Sequence, residues 1–237
     1  MNNALFGMSI KDAADICKEC GVLKSYIKSA AARKVVMSPI DKFEDYKQYA
    51  TDLQVKGEYD ILLNDDSLFQ FEGNLNKDII VDGKKIKYDH YKYLFVQSPY
   101  RRLTFDEYMD GIDRDEPDYN EELYREMFEN DSLLGDNPFP FYLRYDVDMK
   151  GYKPNSHSYA HLHIGFNEGY RMPVSLILTP KAFVCMVLKL VYPNQWNDNI
   201  VSVSRRMEKV YSSLKSQCID NKNPYWIDCE QKDLFIG

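Results

Sequence analysis

Between residues 141 and 148 the chain alternates. Phe141, Leu143, Tyr145 and Val147 occupy the odd positions, and Tyr142, Arg144, Asp146 and Asp148 the even ones. Successive side chains of a strand point to opposite faces, so this pattern predicts a strand with one apolar and one charged face. Residues 159–166 repeat the pattern, with Ala160, Leu162, Ile164 and Phe166 on one side and Tyr159, His161, His163 and Gly165 on the other. Asn167-Glu168-Gly169 then reads as a three-residue hairpin loop in which glycine supplies a positive φ. That loop would pair Phe166 with Tyr170, Gly165 with Arg171, Ile164 with Met172 and His163 with Pro173, placing Arg171 on the histidine face, diagonal to His163. A slip of one residue would drive the charged set into the core, so the facing of these strands is strongly specified.

Elsewhere the periodicity changes. Ile10, Ala14, Cys17, Leu23 and Ile27 recur at helical spacing and predict a helix over 9–32, with Ser9 as its cap and Gly21 as a break. A second helix is expected after Ser38-Pro39, where Asp41 and Glu44 favour a helix start. Strands are expected at 59–63 and 68–71 around the turn Asn64-Asp65-Asp66, at 79–81 and 85–88 around Asp82-Gly83, and at 93–96, either as a further strand or as the continuation of 85–88. Residues 104–135 are acidic and helical in character, with Asp113 to Asp118 as a solvated run. Thr179-Pro180 opens an apolar helix, and another is expected over 200–217. These elements predict an α+β fold, an antiparallel sheet with helices packed mainly on one face. An N-terminal helical segment, 1–56, leads into an α+β domain, 57–237, as one compact unit.

Composition narrows the functional classes. The net charge of −7 disfavours a broad electrostatic grip on nucleic acid, although local positive charge can still serve a nuclease. No apolar run has membrane-span length, and five cysteines without disulfide-type spacing fit a reducing cytoplasm, the expected location. Cys17 and Cys20 have redox or zinc-knuckle spacing but no matching second pair, and read as core thiols. Lys84-Lys85 and Arg101-Arg102, interleaved with Tyr88, Tyr91, Tyr93 and Tyr100, suggest either a base-stacking surface or an exposed sheet edge. There is no Walker loop, dinucleotide fingerprint, nucleophile elbow or His-Glu-x-x-His helix.

The charged strand face is therefore the candidate site. If the two strands are neighbours, it gathers Arg144, Asp146, Asp148, His161, His163 and Arg171, with His157 arriving from the connection. Histidine moves protons near neutrality, a carboxylate orients it, and arginine clamps phosphate. The expected reaction is cleavage of a phosphodiester, most plausibly in RNA. His157 and His161 are expected as acid and base, Asp146 as the orienting group, and Arg144 and Arg171 as phosphate clamps, with His163 and Asp148 as accessories. No cofactor is expected; a divalent metal on His161, His163 and Asp146 is the alternative. A polar face satisfied by its own ion pairs, without chemistry, is the competing account.

The run Arg144-Tyr145-Asp146-x-Asp148, then His157-x-x-x-His161-Leu162-x-Ile164-Gly165, then Arg171-x-Pro173-Val174, resembles an uncharacterised bacterial family, domain-of-unknown-function family 2290. Its corresponding pieces read R-F-D-F-D, H-P-x-x-H-L-T-L-G and C-R-I-P-V. The likeness extends to Leu94–Pro99 and to Thr179-Pro180-x-x-Phe183. It implies no established activity, but it matches Arg144, Asp146, His157, His161 and Arg171 to the family's polar positions. Ser158 and Tyr170 depart from its proline and cysteine, and His163 stands where it carries threonine, which moves weight from His163 to His157 and His161. A looser likeness is to RNA-cutting toxins of toxin–antitoxin systems, which carry R-Y-D followed by clustered histidines. A toxin or phage-defence effector is the resulting expectation. A non-catalytic subunit bound to a protein encoded nearby is the alternative.

Overall fold

The computed structural model describes residues 3–27, 45–81, 84–110, 112–130, 133–166, 171–220, 226, 232, 235 and 236, with 3, 74–81, 84–89 and 220 described by backbone alone. The first half of the chain forms α1 (Asn3–Glu19), β1 (Leu23–Tyr26), α2 (Tyr46–Val55), β2 (Ile61–Leu63), β3 (Leu68–Val81), β4 (Lys84–Val96), β5 (Tyr100–Arg102) and α3 (Phe105–Met109). There follow α4 (Glu121–Asn130), β6 (Leu134–Asp136), β7 (Tyr142–Val147), β8 (Ala160–Ile164), β9 (Arg171–Pro173) and β10 (Leu176–Ile177). The last part comprises α5 (Pro180–Val191), α6 (Pro193–Trp196), a π-helical turn (Asn197–Val201), α7 (Ser204–Leu214) and β11 (Ile219–Asp220). Seven strands make one sheet in the order β1-β2-β3-β4-β7-β8-β9, and each neighbouring pair is antiparallel. The fold is α+β, as the pattern predicts.

The main core lies on the face formed by Tyr91, Tyr93, Phe95, Leu143, Tyr145 and Val147, under α1 and α5. The Thr179 hydroxyl accepts from the Ala182 amide at 3.2 Å and Pro180 sits in the first turn, so α5 begins where cap and proline place it. Its Phe183 lies edge-on to Phe69, Phe71 and Tyr93. The opposite face is covered at one end by α2, where Tyr49, Ala50 and Leu53 meet Leu62, Leu68, Leu94, Val96 and Tyr142. Residues 1–56 thus contribute helices to both faces and β1 to the sheet itself.

Several expected boundaries are corrected. The helix placed at 9–32 starts at Asn3 and stops at Glu19. Ser9 lies inside it, and its hydroxyl accepts from the Lys181 amide at 3.0 Å rather than capping. Gly21, with φ +77°, reverses the chain, and Leu23–Tyr26 becomes a strand paired with β2. The start expected at Ser38-Pro39 lies outside the described residues; α2 is capped by Asp45, whose carboxylate accepts from Gln48 at 2.7 Å. β4 runs unbroken through 85–88 and 93–96, so the second of these is the continuation of the first; Val81 pairs with Lys84, and the turn expected at Asp82-Gly83 lies outside the described residues. The acidic excursion contains α3, α4 and the unexpected pair β5–β6, while Asp113 to Asp118 are exposed. α7 begins at Ser204 because the preceding turn is π-helical. Tyr91 and Tyr93 are fully buried and offer no base-stacking surface. Cys17 and Cys20 are buried core thiols.

The β8–β9 register also differs by two residues. His163 pairs with Arg171, Leu162 with Met172 and His161 with Pro173. The even shift preserves facing, so Arg171 stays on the histidine face but directly opposite His163. Gly165 causes the change. At φ +84° it leaves the ladder, its amide bonds the Tyr142 carbonyl at 2.9 Å, and Phe166 turns against Tyr46, Tyr49 and Tyr142.

Candidate functional site

Beyond the edge of α2 the second sheet face turns polar. Two cross-strand rows run over it: Lys92–Asp146–His161–Pro173, and Leu94–Arg144–His163–Arg171. Directly opposed residues share a face. The two patterned strands are neighbours, the condition on which the shared face depended, and this places Arg144, Asp146, His161, His163 and Arg171 together. His157 joins from the connection: its amide and carbonyl both bond Lys153, at 2.8 and 2.9 Å, and its ring centroid lies 4.8 Å from that of His161. Asp148 accepts from the Lys150 amide at 3.0 Å, and its charge acts on His157.

The polar atoms converge. His161 Nδ1 lies 2.7 Å from the Ser158 carbonyl, which can only accept, so Nδ1 carries the proton and Nε2 presents a bare lone pair. That Nε2 lies 3.0 Å from His163 Nε2 and 3.9 Å from Asp146 Oδ2, and His163 Nε2 lies 3.3 Å from the same oxygen. Arg144 Nε donates to Asp146 Oδ2 at 2.9 Å, and its Nη2 is 2.9 Å from His163 Nε2. His161 and His163 are each 1 % exposed in their side chains, against 16 % for Asp146, so the group opens on the side of the carboxylate. His157 and Arg171 stand half-buried at that opening.

Burial would raise the Asp146 carboxyl, but the contact with His163 and the charges of Arg144 and Lys92 hold it at about 2. Burial pushes His161 down to about 4, against the pull of Asp146. His163 is lowered by burial, with Asp146 opposing and Arg144 adding to the effect. His157 is lowered by burial and by Arg171.

Neither neutral tautomer of His163 satisfies every contact in this group. If His163 Nε2 carries the proton it can donate to His161 and Asp146, but then it meets an Arg144 N–H head-on. If Nε2 is bare it accepts from Arg144 but faces the bare His161 Nε2, and His163 Nδ1 is left buried with no acceptor among the described residues. Buried polar groups without partners are costly. The shortfall is a positive centre between the three lone-pair atoms. The point equidistant from His161 Nε2, His163 Nε2 and Asp146 Oδ2 lies about 2.0 Å from each, the distance of zinc to imidazole nitrogen and carboxylate oxygen. Asp146, His161 and His163 form a group that could hold a metal ion. Two imidazoles and one carboxylate suit zinc or another borderline divalent ion, with coordination positions left over.

Residues 18–227 match the family described as "Uncharacterized conserved protein (DUF2290)". The chain belongs to this family. The match spans both patterned strands, the connection carrying His157, and α5. No curated protein and no solved structure matches the chain at a significant level. Among the described residues no helix is long and apolar enough to cross a membrane.

Three contributors had not been singled out. Lys92 enters because β4 is the partner of β7, a pairing across an excursion of more than forty residues that no local pattern announces. The Ser158 carbonyl sets the His161 tautomer, and a backbone group carries no signal in residue identity. Gly151 leaves room for the His157 ring: a Cβ there would stand 2.5 Å from Cε1.

Proposed function

We propose that the chain is a metal-dependent hydrolase of phosphodiesters, with RNA as the leading substrate, whose divalent ion is held by Asp146, His161 and His163. The observation that carries this reading is the convergence of three lone-pair atoms on one point at ligand distance. A divalent ion bound there would activate water and neutralise a phosphoryl oxygen. The Ser158 carbonyl fixes the His161 ring so that Nε2 faces the ion, as second-shell acceptors do at metal sites. Arg171, directly opposite His163 on the edge strand, is placed to hold a phosphate oxygen. His157, at the opening, is placed to take the proton of the attacking water.

Positive charge on this face is balanced: Lys92, Arg144 and Arg171 stand with Glu72, which pairs with Lys92, and Asp146, so the case for an anionic substrate rests on Arg171. Arg144 points inward to Asp146 and His163, which leaves phosphate binding to Arg171. A toxin or phage-defence role is carried only by the motif likeness.

The test uses purified full-length protein, stripped and reloaded with zinc or manganese. Elemental analysis should find about one ion per chain, lost in His161→Ala. The loaded wild type should cleave RNA or bis(p-nitrophenyl) phosphate and lose that activity with EDTA. Absence of bound metal under all loadings, or activity unchanged in His161→Ala, refutes the reading. Stable co-purification of an inactive, metal-free protein with a neighbouring gene's product would support the regulatory-subunit alternative.

A further inference from the structure

The metal centre as described leaves one conflict. His163 Nε2 has a single lone pair, and Arg144 Nη2 stands 2.9 Å from it. An ion at the equidistant point needs the same lone pair. Asp146 is less constrained, because each carboxylate oxygen has two lone-pair directions. Its Oδ2 takes the Arg144 Nε–H at 2.9 Å, whereas its Oδ1 is buried with no hydrogen-bond partner among the described residues.

We propose that Arg144 is an internal competitor for the cation position, and that ion binding moves its guanidinium from His163 Nε2 and Asp146 Oδ2 toward Asp146 Oδ1. The proposal rests on the metal-centre reading above and adds to it a second, ion-free state of the same site. Without the ion, the planar fork of Arg144 spans carboxylate and imidazole and balances the buried charge. With the ion, Oδ2 and the two Nε2 atoms turn to it, and Oδ1 receives the displaced guanidinium. Arg144 stays paired with Asp146 throughout, so no charge is stranded in the low-dielectric interior. An inner carboxylate oxygen on the metal with the outer one on a cationic donor is the usual second-shell arrangement. Affinity for the ion is thereby set below what the three ligands alone would give, and Arg144 is a positioning residue rather than a phosphate clamp.

Zinc and manganese binding should be measured by calorimetry on full-length wild type, Arg144→Gln and Arg144→Lys, with circular dichroism to confirm folding. Removing hydrogen bonds from a charged donor to His163 and Asp146 should tighten binding about tenfold or more in Arg144→Gln. Arg144→Lys keeps the charge but cannot span both acceptors, and should also tighten binding. Wild-type binding with equal or weaker affinity in both variants overturns the proposal. So does tightening in Arg144→Gln alone, which would be a charge effect without competition. If neither variant folds, nitrogen-15 spectra of the wild-type imidazoles decide: zinc should move His163 Nε2 to the shift of a metal-bound nitrogen. A His163 signal unchanged at saturation overturns the proposal. No binding by any of the three proteins overturns the metal centre itself.

Discussion

Replacing Gly151 with alanine should displace one histidine and leave its two neighbours in place. The Cβ would stand 2.5 Å from His157 Cε1, 3.0 Å from Nδ1 and 3.1 Å from Nε2. Carbon contacts are comfortable only from about 3.5 Å, so the ring has to withdraw by about 1 Å. Gly151 is absent from the glycines with positive φ, so space rather than backbone conformation demands glycine here. The His157 backbone is held by its two bonds to Lys153, and relief therefore comes from the side chain swinging outward to solvent. Because that direction is open, the stability cost should be about 1 kcal/mol, the low end for overpacking. Four histidines make the imidazole Cε1–H spectrum simple to assign. The His157 resonance should move most, that of His161, whose ring lies 4.8 Å away, should show a smaller ring-current shift, and that of His163, held by Arg144, should stay within line width. An unmoved His157 signal, or equal movement of all three, would refute the reasoning.

Other expectations follow from the packing. Phe183→Ala should cost about 3–5 kcal/mol in urea unfolding, because the ring is fully buried against three aromatic neighbours; Phe139→Ala, at 88 % exposure, should stay within about 0.5 kcal/mol. Asp146→Ala should cost about 3–5 kcal/mol by leaving the buried Arg144 without its carboxylate, and a loss under about 1 kcal/mol would contradict the described pair. Cys17, Cys20 and Cys185 should resist iodoacetamide in the native protein when mapped by mass spectrometry. All three are buried, and burial pushes their thiols up, Cys20 to about 11 and Cys185 to about 12.

Facing was legible in the sequence for the middle of the two patterned strands and register was not; at the ends, Tyr159 packs in the main core and Phe166 under α2, each opposite to its parity. The two-residue period of 141–148 and 159–164 reports which side chains share a face, because only one arrangement buries Leu143, Tyr145, Val147, Ala160 and Leu162 together. A shift by two residues preserves that burial, so nothing in the pattern separates His163–Arg171 from His163–Pro173. The left-handed Gly165 decided it, and it lay in a segment read as regular strand. α1 shows a related limit. Leu23 and Ile27 continue the helical spacing of Ile10, Ala14 and Cys17, yet the chain turns at Gly21 and these positions serve a strand. The histidine cluster was visible, but its meaning depended on the Ser158 carbonyl and on distances between neighbouring strands. The family comparison had moved weight away from His163, which the geometry places at the centre of the converging atoms.

β9 has three residues and ends the sheet. Among the described residues its neighbour in the sheet is β8, and on its far side the Ile236 amide donates to the Pro173 carbonyl at 3.0 Å, whereas the strands bearing Asp146, His161 and His163 have a strand on both sides. Short edge elements open at far lower free energy than a sheet interior. Arg171 and the group of Asp146, His161 and His163 therefore belong to different tiers of stability. The amides of Arg171 and Met172 should exchange with solvent orders of magnitude faster than those of 143–147. On the proposed function, a ligand would arrive or leave by loosening β9 without disturbing Asp146, His161 and His163.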